Sequence, residues 1–352
     1  VERSPSSSPW LDLDRPPLRA AALREALTRG PGAVWRELEV LPSTGSTNAD
    51  LADRARAGEG EGLVLVTDDQ QAGRGRLGRT WTAPPRSALA ASVLLRPGEP
   101  VPPQCTDDAV STAPRPGASR SGATLPESAA MPVVDQVRWS WLPLLAGVAV
   151  VDALTRACGL PARLKWPNDV LVPEDGRISR EGRTREAGDR EAGDREAGDR
   201  EAGGGPALLK VCGILAEVIT TPAGPAVVLG AGINVSQQRT ELPVGTATSL
   251  RLAGSATTDR DTVLRAYLRA LAGRYRDWRR AAGDPRASGI GAAYREACVT
   301  IGRQVAVHLP GAEPVEGRAE GMDDDGRLLV AVPGGQVRAL AAGDVVHVRP
   351  PN

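Results

Sequence analysis

The chain has no phenylalanine at all, three tyrosines, two methionines, two histidines and, by direct count, two lysines among its 352 residues. Without phenylalanine the core has to come from Leu, Val and Ala with a few Trp, and the 41% hydrophobic content is ordinary for a soluble chain. The four cysteines, Cys105, Cys158, Cys212 and Cys298, are widely spaced and form no Cys-x-x-Cys or Cys/His cluster. Neither a zinc site nor a disulfide framework is expected from them, and a reducing cytoplasm fits. Acidic and basic residues balance at 43 each, so no global field draws the chain to DNA or to a membrane surface. No apolar run is expected to reach the roughly 18 residues that span a bilayer. The longest candidate, Trp141 to Leu154, contains Pro143 and Asp152. Val1 to Pro9 offers no basic segment followed by an apolar one, so no secretion signal is expected.

Lysine scarcity has two readings. Every basic residue except Lys165 and Lys210 is arginine, which fits a coding bias in a chain rich in Ala, Gly, Pro and Arg. If arginine replaces lysine wherever it serves, the two survivors mark positions that need a compact ammonium instead of a planar fork.

What the sequence does have is a run of alternating charge and flexibility, Gly73-Arg74-Gly75-Arg76-Leu77-Gly78-Arg79-Thr80-Trp81. Glycine allows close backbone approach to a ligand, and arginine supplies forks of donors that match carboxylates and phosphates. The run follows the apolar segment Leu63 to Thr67 and is expected to be an irregular loop closing on an anion. Alone it also fits a nucleic-acid contact or a solvated basic loop. Its companions, in chain order, are Ser46-Thr47-Asn48, Lys165-Trp166-Pro167-Asn168-Asp169, Lys210 three residues before Gly213-Ile214-Leu215, and Gly230-Ala231-Gly232-Ile233-Asn234.

That ordered set, spanning about Ser46 to Asn234, resembles the biotin protein ligases, with Leu77 replacing the arginine of the family's loop pattern. The resemblance implies ATP-dependent activation of biotin to biotinyl-5'-adenylate, then transfer to one lysine of a biotin carboxyl carrier domain of an acyl-CoA carboxylase. It implies ATP and biotin as substrates with Mg²⁺, no DNA or membrane partner, and a monomer or weak homodimer. The fold it implies is α+β, a mixed sheet with helices like that of class II synthetases, plus a small SH3-like C-terminal barrel.

Residue roles carry over by motif. Two anions, carboxylate and α-phosphate, must be brought together, so positive charge and exclusion of water are needed. The resemblance sets Arg76 beside both anions, while Arg74 and Arg79 order the closed loop and the triphosphate. Lys210 suits an oxygen shared between carboxylate and phosphate, and Lys165 joins the nucleotide set. Asp169 either orients one of the lysines or accepts a proton from the acceptor lysine, whose amine must be neutral to attack. As a turn residue it would do neither. Asn168 and Asp169 are the candidates for contact with Mg²⁺, and the metal ligands stay unknown. Ser46, Thr47 and Gln70 match positions that hydrogen-bond the ureido ring of biotin, with Asn48 in the substrate-binding set, although Ser and Thr before a helix are also plain caps. Gly213, Gly230, Gly232 and Asn234 match the pocket floor, with Gly73 in the substrate-binding set and Asn234 also in the nucleotide-binding set. Trp81 leans to the adenine side, Trp166 to ordinary core.

Along the chain a helix is expected over Pro17 to Arg29 and a strand over Trp35 to Leu41. Ser46 or Thr47 caps a helix to about Ala57, and strands follow at Leu63 to Thr67 and Ala88 to Leu95. The clearest helix is Trp141 to Cys158, stopped by Gly159. Strands at Leu208 to Thr220 and Ala226 to Val235 precede an amphipathic helix, Thr262 to Ala281, and a shorter helix ending near Cys298. Five short strands follow from Val305 to Val348. The expected organisation is an extension over 1–34, a biotin- and ATP-binding domain over 35–298 and an SH3-like domain over 299–352. Flexible insertions are expected at about 97–132 and 176–205. The second holds the Glu-Ala-Gly-Asp-Arg repeat of 186–203, whose charge and regular glycine favour disorder.

About forty residues precede the Ser-Thr-Asn motif, too few for a winged helix-turn-helix, so a ligase-only type is expected. The alternatives are a lipoate-type ligase, a biotin-responsive repressor and a non-catalytic biotin-binding protein. The arginine loop and Trp-Pro-Asn-Asp argue against the first, the short N-terminus and zero net charge against the second, and retention of Arg76, Lys165 and Lys210 against the third.

Overall fold

The computed structural model describes residues 15–29, 35–100, 131–174, 199–200 and 207–348. The expected extension before residue 15, most of the 97–132 insertion and most of the charged repeat lie outside the described residues.

The main sheet is mixed. Its strands are β1 (Glu37–Leu41), β2 (Leu63–Thr67), β5 (Ala88–Leu95), β6 (Arg163–Lys165), β7 (Asp169–Pro173), β9 (Ala207–Ile219) and β10 (Ala226–Asn234). They run in the order β1-β2-β5-β10-β9-β7-β6, and a short β8 (Asp199–Arg200) pairs with β9. So two residues of the repeat expected to be disordered are strand. Only β1–β2 is parallel. Two further short strands, β3 (Gly73–Arg74) and β4 (Thr80–Trp81), pair with each other between β2 and β5.

Side chains alternate across this sheet, and the alternation decides where a site can form. On one face Val64, Val66, Val93, Leu95, Val227 and Leu229 join the large core beneath the helices α1 (Ala20–Thr28), α3 (Trp141–Cys158) and α4 (Arg260–Arg280). On the other face Leu63, Leu65, Leu94, Ala226 and Val228 pack under Leu51, Ala52 and Ala55 of α2 (Thr47–Arg56). Burial on both faces explains why β2 is a continuous apolar run. The second face is only half covered. Beyond the N-terminus of α2 it is lined by Ala90, Ser92, Gly230 and Gly232, side chains too small to fill the space.

Helix α3 corrects an expectation. The stretch Gln136–Cys158 is long and apolar enough to cross a membrane by length and composition. Most of its apolar residues are buried in the core, however, and Asp152 is ion-paired with Arg274 of α4 at 2.9 Å. Gly159, at φ 68°, ends it in the left-handed conformation.

After α5 (Ile290–Ala297) the chain forms a second, antiparallel sheet of β11 (Gln304–His308), β12 (Val315–Met322), β13 (Leu328–Ala331), β14 (Val337–Leu340) and β15 (Asp344–His347). Its order is β14-β13-β12-β11-β15. The β12–β13 turn docks on the start of α3: the Trp141 indole donates to the Asp324 carbonyl at 2.7 Å, and the Trp166 indole donates to that of Gly326.

Candidate functional site

A cavity of about 600 Å³ opens on the half-covered face of the main sheet, bounded by the start of α2, by β9 and β10, and by the β3–β4 hairpin. The hairpin is the glycine–arginine run, which therefore is not irregular, contrary to the expectation from sequence. Gly75 donates to the Arg79 carbonyl at 2.7 Å and Arg79 to that of Arg76 at 3.2 Å. The two residues between, Leu77 at φ 55° and Gly78 at φ 74°, are both left-handed, which matches the twist of a two-residue hairpin turn. A leucine there costs roughly 1 kcal/mol, and its side chain points into solvent. Gly73 is fixed by packing: a Cβ would lie 2.4 Å from the Trp81 carbonyl oxygen and 2.5 Å from Gln70 Nε2.

The hairpin presents its arginines unequally. Arg76 is half-buried, and burial lowers its guanidinium from the ordinary value, an effect that Asp344 and Asp169 oppose. It donates to Asn168 Oδ1 at 3.1 Å and to the Gly343 carbonyl at 3.3 Å. Arg79 is exposed and ion-paired with Asp344. Arg74 is exposed too. Among the residues lining the cavity, Arg74, Arg76, Arg79 and Lys210 face only two acids, Asp169 and Asp344. The cavity is therefore suited to an anion.

Lys210 and Asp169 form an ion pair at 2.7 Å. Strand geometry alone would forbid it. Asp169 of β7 pairs with Gly213 of β9, and residues three apart on a regular strand face opposite sides. The register slips between Val170, which pairs with Cys212, and Leu171, which pairs with Lys210. Val211 is the extra residue. This bulge turns Lys210 to the side occupied by Asp169 and Gly213. A Cβ on residue 213 would sit 3.3 Å from Lys210 Nζ, so the ammonium lies against bare backbone.

A polar chain closes the other end. Thr47 N donates to Gln70 Oε1 at 3.0 Å, Thr47 Oγ1 lies 3.2 Å from the same oxygen and 2.7 Å from Ser92 Oγ, Ser92 donates to Asn48 Oδ1 at 2.6 Å, and Asn48 Nδ2 donates to Glu217 Oε2 at 2.7 Å. Ser46 caps α2 through Ala49 N. Gly230 and Gly232 are required: a Cβ would stand 2.2 Å from Asn48 Oδ1 in the first case and 2.7 Å from the Trp81 indole in the second.

Most predicted residues converge. Ser46, Thr47, Asn48, Gln70, Arg74, Arg76, Arg79, Trp81, Asn168, Asp169, Lys210, Gly213, Gly230, Gly232 and Asn234 all line the cavity. Two do not. Gly73 backs the hairpin and borders a neighbouring cavity on its outer side. Lys165 ends β6 opposite Asp169 and is not among the lining residues of either cavity. Asn168 is occupied, accepting from Arg76 and donating to the Ile214 carbonyl at 3.2 Å. Asn234 ties β10 to Thr248, and Trp166 is buried core, as expected. Sequence reasoning missed Ser92, Glu217 and Asp344. Ser92 is the one polar residue of β5, and Glu217 is the one acid of β9, both readable signals. Asp344 carried none. Among the described residues no group of three His, Cys, Asp or Glu could hold a metal ion, and Cys158, Cys212 and Cys298 are free and buried.

Comparison with known proteins agrees with this geometry. The profile of the biotin/lipoate A/B protein ligase family matches residues 39–112, and that of the biotin protein ligase C-terminal domain matches 300–348. The chain is 38% identical over 339 residues to a biotin–[acetyl-CoA-carboxylase] ligase of Mycobacterium tuberculosis, covering 95% of this chain and 97% of that one. It is 27% identical over 311 residues to the bifunctional ligase/repressor BirA of Bacillus subtilis, covering 87% and 72%. In fold it is similar to the biotin protein ligase of Aquifex aeolicus solved with biotin and ATP, with a TM-score of 0.59 at 22% identity, covering 90% of this chain and 100% of that one.

Proposed function

The chain belongs to the biotin protein ligase family, and on that premise we propose how its cavity activates biotin with ATP and passes it to a lysine of a carboxylase carrier domain. The observation that carries the residue assignment is the bulge-made Lys210–Asp169 pair lining the same cavity as Arg76.

In the first step a carboxylate oxygen of biotin attacks the α-phosphorus of ATP, the bond to the β-phosphate breaks, and pyrophosphate leaves. Lys210, a compact charge held by Asp169, sits where the attacking and phosphoryl oxygens approach each other. Arg76 balances the charge gathering on the phosphate. Arg79 and Arg74, on the exposed side of the hairpin, meet the departing phosphates. Asn168 is a positioning residue, since its amide holds Arg76 to β9. Asn168 and Asp169 are the lining side chains that would reach a Mg²⁺ brought with the triphosphate, which would supply charge neutralisation there, and a cavity with two lining acids fits such a substrate-borne ion.

In the second step the neutral acceptor amine attacks the adenylate carbonyl and AMP leaves. Asp169, released as Lys210 moves onto the phosphate, takes the amine's proton. Thr47, Asn48 and Gln70 hold the ureido ring over Gly230 and Gly232, and Trp81 borders the adenine. The two sheets correspond to a ligase domain ending near residue 298 and a C-terminal domain. Buried thiols and a carboxylase partner go with a cytoplasmic enzyme acting as a monomer or weak dimer.

The test is ATP–pyrophosphate exchange with biotin and with lipoate in parallel. Exchange that requires biotin and ignores lipoate is expected. Exchange with lipoate alone would move the protein to the lipoate branch.

A further inference from the structure

We propose that Glu217 is a positioning residue that sets the donor–acceptor direction of the buried chain Glu217–Asn48–Ser92–Thr47, so that a ring N–H entering the cavity meets an acceptor oxygen. The proposal rests on the biotin reading above and names what makes the cavity selective for a ureido ring.

The direction follows from counting protons. A carboxylate only accepts, so Asn48 must turn its amide Nδ2 to Glu217 Oε2, at 2.7 Å. The opposite amide orientation would set two acceptor oxygens against each other. With Nδ2 committed, Asn48 Oδ1 faces inward and accepts the single proton of Ser92 at 2.6 Å. Ser92 Oγ then has only lone pairs for Thr47 Oγ1, 2.7 Å away, so Thr47 donates to Ser92. That uses the one Thr47 hydroxyl proton at the shorter contact, so the 3.2 Å approach of Thr47 Oγ1 to Gln70 Oε1 carries no proton. Gln70 Oε1 is still served by the Thr47 backbone N–H at 3.0 Å, which leaves the Gln70 Nε2 donors available. The outcome at the cavity wall is an acceptor at Thr47 Oγ1 beside donors at Gln70. A ureido ring, with two N–H donors and one carbonyl acceptor, complements that pair. The dithiolane ring of lipoate offers neither.

The surroundings protect this order. Ser92, Thr47 and Asn48 are 0%, 3% and 7% exposed, so water does not scramble the chain. The inward turn of Asn48 Oδ1 needs glycine at 230, where a Cβ would lie 2.2 Å away. Glu217 accepts from a side chain in the first turn of α2, the end of a helix that favours a negative charge. Glu217 itself lies outside the lining of the biotin cavity, so its effect passes through Asn48.

A swap of functional groups tests the proposal. Biotin-dependent ATP–pyrophosphate exchange is measured for wild type, Glu217→Gln, Asn48→Asp and the double variant, with melting curves for each. In Glu217→Gln both amide orientations of Asn48 become possible. The biotin KM should rise roughly tenfold, the scale of one mis-set buried hydrogen bond, with kcat and the ATP KM unchanged within about twofold. In Asn48→Asp two carboxylates face each other. Biotin use should collapse near neutral pH and partly recover as pH falls and the pair takes up a proton. In the double variant the amide and the carboxylate have exchanged places. The amide introduced at position 217 donates to one oxygen of the carboxylate introduced at position 48, whose other oxygen still accepts from Ser92. The biotin KM should return to within about threefold of wild type and lose the pH dependence. An unchanged biotin KM in Glu217→Gln overturns the proposal. So does a double variant no better than a folded Asn48→Asp. If Asn48→Asp does not fold, the KM-against-kcat split in Glu217→Gln decides alone. Absence of biotin-dependent exchange in wild type would instead sink the functional reading beneath it.

Discussion

Lys210 shares a face with Asp169 because one residue of β9, Val211, is out of register. The ammonium is thereby placed over Gly213 with its stem on the strand and its charge fixed by one carboxylate, 2.7 Å away. A guanidinium is wider and planar, and cannot occupy the same point between two closely approaching oxygens. Lys210→Arg should therefore lower biotin-dependent exchange by roughly a hundredfold, the scale of an ångström misplacement in such a site. Its melting temperature should stay near wild type, because the stem still packs on β9. Near-normal exchange would mean that lysine scarcity in this chain is coding bias alone. The other surviving lysine sets a limit on that argument: Lys165 lies outside the cavity lining, so scarcity by itself does not identify a contact residue.

At the scale of elements, the β3–β4 hairpin is held by few bonds. Arg76 reaches Asn168 and the Gly343 carbonyl, and Arg79 pairs with Asp344 at an exposed position, where such a pair contributes about 1 kcal/mol or less. Removing the half-buried Arg76 cuts the hairpin's bonds to Asn168 and Gly343 and leaves it the exposed Arg79–Asp344 pair, with Lys210 and Asp169 still in place. Arg76→Gly should still form adenylate, but release it, so that lysines on bystander proteins become biotinylated. Mass spectrometry of a mixture with an unrelated protein checks this, and labelling confined to the carrier lysine would count against it. The hairpin also shows where sequence reading stops. β2, β5 and α3 are legible because long apolar runs and a terminal glycine fix their type and ends. Two-residue strands closed by Leu77 and Gly78 have no period to read, and their pairing depends on the Trp81 carbonyl and Gln70 packing against Gly73. The Lys210-x-x-Gly213 spacing was legible as a motif. The bulge that gives it meaning was not, since it arises from pairing with β7 across a segment distant in the chain. Glu217 and Asp344 are set by the same kind of long-range contact.

For the molecule as a whole, the site lies where two architectures meet. The main sheet supplies a half-covered face, α2 a helix start, and the second sheet supplies Asp344 of β15 and the preceding Gly343 to the arginine hairpin. A single cavity thus has a neutral polar end at the start of α2 and a cationic end at the hairpin. Everything proposed for it depends on the cavity making and retaining an acyl-adenylate before transfer. The deciding experiment is to incubate the protein with biotin and ATP, remove small molecules by gel filtration, and analyse the protein fraction by mass spectrometry. Biotinyl-adenylate should be found in the protein fraction, and adding a biotin carrier domain without ATP should discharge it onto one lysine. A protein fraction without adenylate, from folded protein given both substrates, would refute the proposed chemistry.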